Sequence, residues 1–185
     1  MIRLASELQT DSIVDGKGIR AVIWAQGCSH NCPGCHNQQT RDFKGGFSKN
    51  IEELKMEISA LEFQDGVTFS GGDPFFQPRQ CAELAKHIKT LGMNVWCYTG
   101  FTFEELLKMS ADDKDIKCFL ENIDIMIDGR FIISKRTYSL SFRGSSNQRI
   151  IDVKKSLEKK KAVLVEFEEE ATITNFGRSE ELIFI

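Results

Sequence analysis

Cys28, Cys32 and Cys35 stand in the stretch Cys-Ser-His-Asn-Cys-Pro-Gly-Cys, a C-x3-C-x2-C pattern that puts three thiols on one short loop. Thiolates in such runs are metal or iron–sulfur ligands. A closed structural zinc site takes four protein ligands, whereas a catalytic metal centre keeps one position open. Iron–sulfur clusters are usually held by four cysteines. A run of three with no fourth cysteine nearby therefore points to a cluster with one iron left for another ligand. The alternative is a zinc site completed by His30 or His36. Cys81, Cys97 and Cys118 lie singly in helix-like or strand-like segments and read as buried, inert thiols.

The elements that must carry this loop alternate. Residues 19–25 are short, apolar and β-branched, as in a buried strand, and the cysteine loop follows at once. Asn50 and Glu53 have capping-box spacing ahead of a helical stripe over 50–61. A second strand at 67–70 ends at Gly71-Gly72. A helix through Cys81, Leu84, Ala85, Ile88 and Leu91 stops at Gly92. A third strand at 94–98 precedes Thr99-Gly100, and Thr102 and Glu105 form another capping box. A helix near 113–120 leads to a strand at 123–127 ended by Asp128-Gly129, and a further strand is expected at 140–143. This rhythm predicts parallel strands joined by helices, with ligands gathered beyond the strand ends. Each distinctive polar motif lies just after a predicted strand. The chain is short for eight strand–helix units, so the expected fold is α/β, an open, partial parallel β/α barrel.

With 185 residues there is enough chain for one sizeable core, and 41% hydrophobic with 28% charged residues is the balance of a water-soluble domain. A net charge of −3 argues against a nucleic-acid binder. The first residues carry no apolar stretch of signal-peptide length, and no run is long enough to span a bilayer, so no membrane association and a cytoplasmic location are expected. The basic run 154–161 and the acidic run 166–170 read as solvated faces. Short strands are expected at 162–167 and 182–185, around a turn at Asn175-Phe176-Gly177.

Five motifs in order then carry a resemblance. The cysteine triad after the first strand is similar to the signature of the radical S-adenosylmethionine enzymes. Val67-Thr68-Phe69-Ser70-Gly71-Gly72-Asp73-Pro74 looks like the second motif of that superfamily, with Asp73 where a glutamate is usual. Asp15-Gly16-Lys17-Gly18-Ile19-Arg20 resembles the lead-in of glycyl-radical activating enzymes. Trp96-Cys97-Tyr98-Thr99-Gly100-Phe101-Thr102 and Phe142-Arg143-Gly144-Ser145-Ser146-Asn147-Gln148-Arg149 narrow the likeness to activases of anaerobic (class III) ribonucleoside-triphosphate reductases.

The resemblance covers roughly residues 10–153 and implies a radical S-adenosylmethionine core over 1–153, with 154–185 as an extension. It implies that Cys28, Cys32 and Cys35 hold a [4Fe–4S] cluster. The free iron would chelate S-adenosylmethionine, whose cleavage gives a 5′-deoxyadenosyl radical that takes hydrogen from a glycine of the reductase large subunit. No side chain need serve as general acid or base. Asp73, shorter than the usual glutamate, would meet the cofactor ammonium directly or through water, and Arg130 its carboxylate, with a surface salt bridge as the other reading of Arg130. Gly71 and Gly72 would let the cofactor approach the backbone. Gly34 replaces the aromatic residue that many members place before the third cysteine, leaving backbone contacts or His36 for the adenine; a simple loop role for His36 is equally open. Arg143 would face either the cofactor or the partner's glycine loop. The electron donor would be a flavodoxin or ferredoxin. An activase of another glycyl-radical enzyme, or a structural zinc module, are the alternatives.

Overall fold

A computed structural model describes residues 1–165 of the chain. The acidic run 166–170, the turn at Asn175-Phe176-Gly177 and the strand at 182–185 lie outside the described residues. The strands are β1 (Ile2–Leu4), β2 (Gln9–Ser12), β3 (Arg20–Ala25), β4 (Phe47–Lys49), β5 (Gly66–Gly71), β6 (Asn94–Tyr98), β7 (Ile125–Asp128) and β8 (Arg149–Asp152). The helices are α1 (Ile51–Ser59), α2 (Pro78–Thr90), α3 (Phe103–Met109), α4 (Lys114–Leu120) and α5 (Val153–Lys159).

The strands form one mixed sheet in the order β4-β1-β3-β5-β6-β7-β8, with β2 also paired to β3. Its centre, β3-β5-β6-β7, is parallel, as the strand–helix rhythm predicts. The flanks are antiparallel: β1 pairs with β3 and β4, and β8 with β7. The fold is thus mixed α/β rather than wholly parallel, and the path runs from β4 to β8 without closing.

Local chemistry explains most boundaries. Thr102 and Glu105 make the full reciprocal capping box of α3, as their spacing requires. Asn50 caps α1 on one side only, its Oδ1 accepting from Glu52 N at 2.9 Å. The expected strand at 140–143 does not form. Leu140-Ser141-Phe142-Arg143 has the alternation of a strand, but Phe142 takes φ +59°, a left-handed conformation that ends extended structure. The sheet instead gains β8, whose Ile150 and Ile151 lie opposite Ile127 and Met126. The described part of the strand expected at 162–167 bridges to β8 through Leu164 and Ile151.

Because side chains alternate along a strand, the central strands feed two faces. Ala21, Ile23, Val67, Phe69, Val95, Cys97 and Met126 join the helix side chains in the main core. Trp96, Ile127 and Ile150, with Tyr98 and Phe142 against them, make a smaller cluster on the other face. Cys81 and Cys97 are buried in the main core, and Cys118 is half-buried, in keeping with inert packing. No helix among the described residues is long and apolar enough to cross a membrane.

Candidate active site

The loops that follow β3, β5, β6 and β7 open onto one cavity of about 480 Å³, within the usual size of small-ligand sites. Cys28, Cys32 and Cys35 line it, together with Gly71 and Gly72 after β5, Thr99 and Gly100 after β6, and Gly129 after β7. The expectation that strand-end motifs share one site therefore holds. Trp24, Ser70 and Tyr98, from the sheet face away from the helices, form part of its wall.

The cysteine loop is closed at its base by the backbone. Gly27 N donates to Thr40 O at 2.7 Å and Cys28 N to Arg41 O at 3.0 Å. The segment after β5 is clamped to that base, with Gly72 N donating to Ala25 O at 2.7 Å and Asp73 N to Gly27 O at 2.9 Å. A Cβ on Gly72 would lie 2.4 Å from Gly27 O, and one on Gly71 2.5 Å from Ala25 O. These glycines let two loops dock backbone to backbone, besides lining the cavity. Burial pushes the Cys28 thiol up to about 11, so a free Cys28 keeps its proton at neutral pH and a metal must displace it.

Asp73 stands behind the cavity wall. It is 1% exposed and absent from the cavity lining. Its carboxylate accepts from Phe75 N at 3.0 Å, Gly100 N at 2.8 Å and Thr99 Oγ1 at 2.9 Å. Oδ2 also lies 2.7 Å from Nε2 of His30, whose side chain is only 5% exposed. His30 sits between Cys28 and Cys32, its ring edge-on to Phe101 at 4.5 Å and near Phe76. Gly100 leaves the space for that ring, since a Cβ there would come within 2.4 Å of it. Asp73 thus ties the cysteine loop to the loops after β5 and β6. Sequence reading missed this pair, and nothing local announces a partner 43 residues away.

The other expected residues divide. His36 lines the cavity, its ring 5.3 Å from that of Phe131. Gly34 lies outside the lining, beneath Ile133 and Phe131. Arg130 is exposed and also outside the lining, its carbonyl accepting from Asn147 Nδ2 at 2.9 Å. Arg143 does line the cavity. The turn that presents it is held by Gln148, whose Oε1 accepts from Gly144 N at 2.9 Å and Ser145 N at 3.2 Å, while its Nε2 donates to Gly129 O at 3.2 Å. Asp128, at the end of β7, is buried. It accepts from Phe103 N at 2.8 Å and from Arg149, which also pairs with Glu104. That network fixes the start of α3 against β7 and β8.

The donor set fits an iron–sulfur cluster. Among the described residues no three Cys, His, Asp or Glu side chains gather around a single ion; a cluster asks instead that each thiolate take its own iron, and three thiols share one cavity wall. The remaining wall, with hydroxyls, amides, rings, the Asp15 carboxylate and one guanidinium, suits a polar nucleoside-sized ligand.

Comparison with known proteins agrees. Residues 14–151 match the family model described as a 4Fe-4S single cluster domain. The anaerobic ribonucleoside-triphosphate reductase-activating protein of Escherichia coli (strain K12) is 31% identical over 145 residues, 74% of this chain and 90% of that protein. The protein of the same name from Pasteurella multocida is 35% identical over 147 residues, 75% and 90% of the two chains. That of Enterobacteria phage T4 is 32% identical over 145 residues, 74% and 86%. QueE from Escherichia coli is a solved structure with some likeness, at 17% identity over 55% of this chain and 53% of its own with a TM-score of 0.43, too slight to argue from. With three thiols in one cavity wall and identities of this level across nine-tenths of the E. coli and P. multocida proteins, the chain belongs to the family of anaerobic ribonucleoside-triphosphate reductase-activating proteins.

Proposed function

We propose that this protein installs a glycyl radical on the large subunit of an anaerobic ribonucleoside-triphosphate reductase, as an oxidoreductase of the radical S-adenosylmethionine type. The observation that carries the reading is the C-x3-C-x2-C triad lining one cavity, in a chain that matches 90% of the E. coli activating protein. Cys28, Cys32 and Cys35 are the residues to hold a [4Fe–4S] cluster, and the strand-end loops around them are the place for S-adenosylmethionine. When bound, the reduced cluster and S-adenosylmethionine supply a carbon-centred radical able to take hydrogen from a C–H bond, chemistry that no side chain can provide.

The protein's share is to bind, orient and exclude water. The clamp between the cysteine loop and the Gly71-Gly72-Asp73 segment would hold the thiols that carry the cluster beside the glycines along which S-adenosylmethionine would lie. Asp73 from behind the cavity wall and His30 from within it hold that clamp. The open, partial barrel of residues 1–153 is the core, and the sheet face away from the helices shields the cofactor. A flavodoxin or ferredoxin is the class of electron donor this chemistry needs, and the cytoplasm is where donor and reductase would meet.

The test is anaerobic. The protein is reconstituted with iron and sulfide, reduced, and mixed with S-adenosylmethionine and the reductase subunit. Expected are 5′-deoxyadenosine by chromatography and a glycyl radical by electron paramagnetic resonance. Deoxyadenosine without a glycyl radical would assign the activation to another target. Zinc bound in place of iron, with neither signal, would overturn the reading.

A further inference from the structure

Arg143 is the one Lys or Arg on the cavity wall among the described residues. Its Nε is buried and finds no hydrogen-bond partner among them. A guanidinium nitrogen removed from water without an acceptor is costly, and the cost is recovered only if an acceptor arrives. The backbone around it is held in place. Phe142 adopts φ +59°, a conformation non-glycine residues rarely take, and its ring packs edge-on against Trp96 at 5.4 Å. On the other side, Gln148 binds the amides of Gly144 and Ser145. A strained, doubly anchored turn that presents a guanidinium with a buried, unpartnered Nε to a cavity is a receiver for an anion. The acidic residue on that wall, Asp15, is hydrogen-bonded by Ser12 Oγ at 2.5 Å.

We infer that Arg143, rather than the exposed Arg130, receives the carboxylate of S-adenosylmethionine. The inference rests on the activase reading above. S-adenosylmethionine carries a single carboxylate and no phosphate, and a planar guanidinium matches a carboxylate in shape as well as charge. The carboxylate has two oxygens with about four lone-pair sites, so it has room for both a metal and an arginine. Arg143 is a binding residue and carries no proton or electron in the reaction.

The experiment compares dissociation constants for S-adenosylmethionine and for its decarboxylated analogue, by equilibrium dialysis under anaerobic conditions. It uses the reconstituted wild-type protein and the Arg143→Gln, Arg143→Met, Arg143→Lys and Arg130→Gln variants. Cluster absorbance verifies that each is folded and loaded. Wild type should prefer the carboxylated ligand. Arg143→Gln should weaken S-adenosylmethionine binding by roughly tenfold, the scale of one charge-assisted contact, and leave the analogue unchanged, so that the preference shrinks by that factor. Arg143→Lys should restore part of it, and Arg130→Gln should behave as wild type. Arg143→Met, which keeps the apolar stem, decides the matter if the glutamine variant does not fold. An undiminished preference in the Gln or Met variant overturns the assignment, as does a preference lost in Arg130→Gln instead. If wild-type protein with an intact cluster binds neither compound, the activase reading falls and this inference with it.

Discussion

Along β3, β5 and β6, neighbouring residues serve opposite faces of one sheet. Ala21, Ile23, Val67, Phe69, Val95 and Cys97 are buried against helices, where apolar area and shape set the stability. Trp24, Ser70 and Tyr98 turn to the cavity. On that side the polar groups are held by named partners rather than by volume. Arg20, fully buried at the start of β3, is the clearest case. Its guanidinium donates to Thr68 Oγ1 at 2.6 Å, Asn94 Oδ1 at 2.8 Å and Val67 O at 3.0 Å, and lies 5.1 Å from the Trp96 ring centroid. Burial lowers its pKa to about 10, which still leaves it charged at neutral pH. The helix-covered face carries the main core; the other face lines the cavity.

Substitutions that strike one face and spare the other test this division. The largest effect is expected from Cys32→Ala, which removes a half-buried thiol. Cluster absorbance and S-adenosylmethionine cleavage should vanish while the thermal midpoint barely moves; cleavage surviving the substitution would break the cluster assignment. Phe69→Ala should do the reverse. A fully buried ring leaves a cavity costing about 3–5 kcal/mol, read by denaturant unfolding, and any protein still folded should bind a cluster. Asp73→Ala falls on the seam between the faces. Stranding the donors of Thr99, Gly100 and Phe75 should cost about 1–3 kcal/mol and raise amide exchange in the cysteine loop. A stability equal to wild type with weaker cofactor binding would instead return Asp73 to direct contact with the ligand. Lys89→Ala breaks an ion pair with Asp124 whose partners are 40% and 39% exposed, and a loss below about 1 kcal/mol is expected.

Much of the scaffold was legible because its determinants are local. The strand at 94–98 and the capping box of α3 depend on neighbours within a few residues, and both form where spacing places them. The convergence of the cysteine loop, Gly71-Gly72, Thr99-Gly100 and Gly129 on one cavity follows from parallel strands, whose C-terminal ends necessarily lie on the same edge. Local pattern misled at 140–143, where alternation mimics a strand but the turn around Gln148 requires a left-handed Phe142.

By itself the amino-acid sequence determined the order of elements in the parallel centre, the thiol triad and the family. Only the tertiary structure decided which polar groups meet. His30 finds Asp73 across 43 residues, and Arg20 finds Asn94 across 74. Arg130 and Arg143 follow the same kind of strand-end or turn signal, yet one is exposed and the other lines the cavity. A side chain's partners depend on which strands become neighbours and how a turn is anchored, and those are properties of the whole packed chain rather than of any stretch within it.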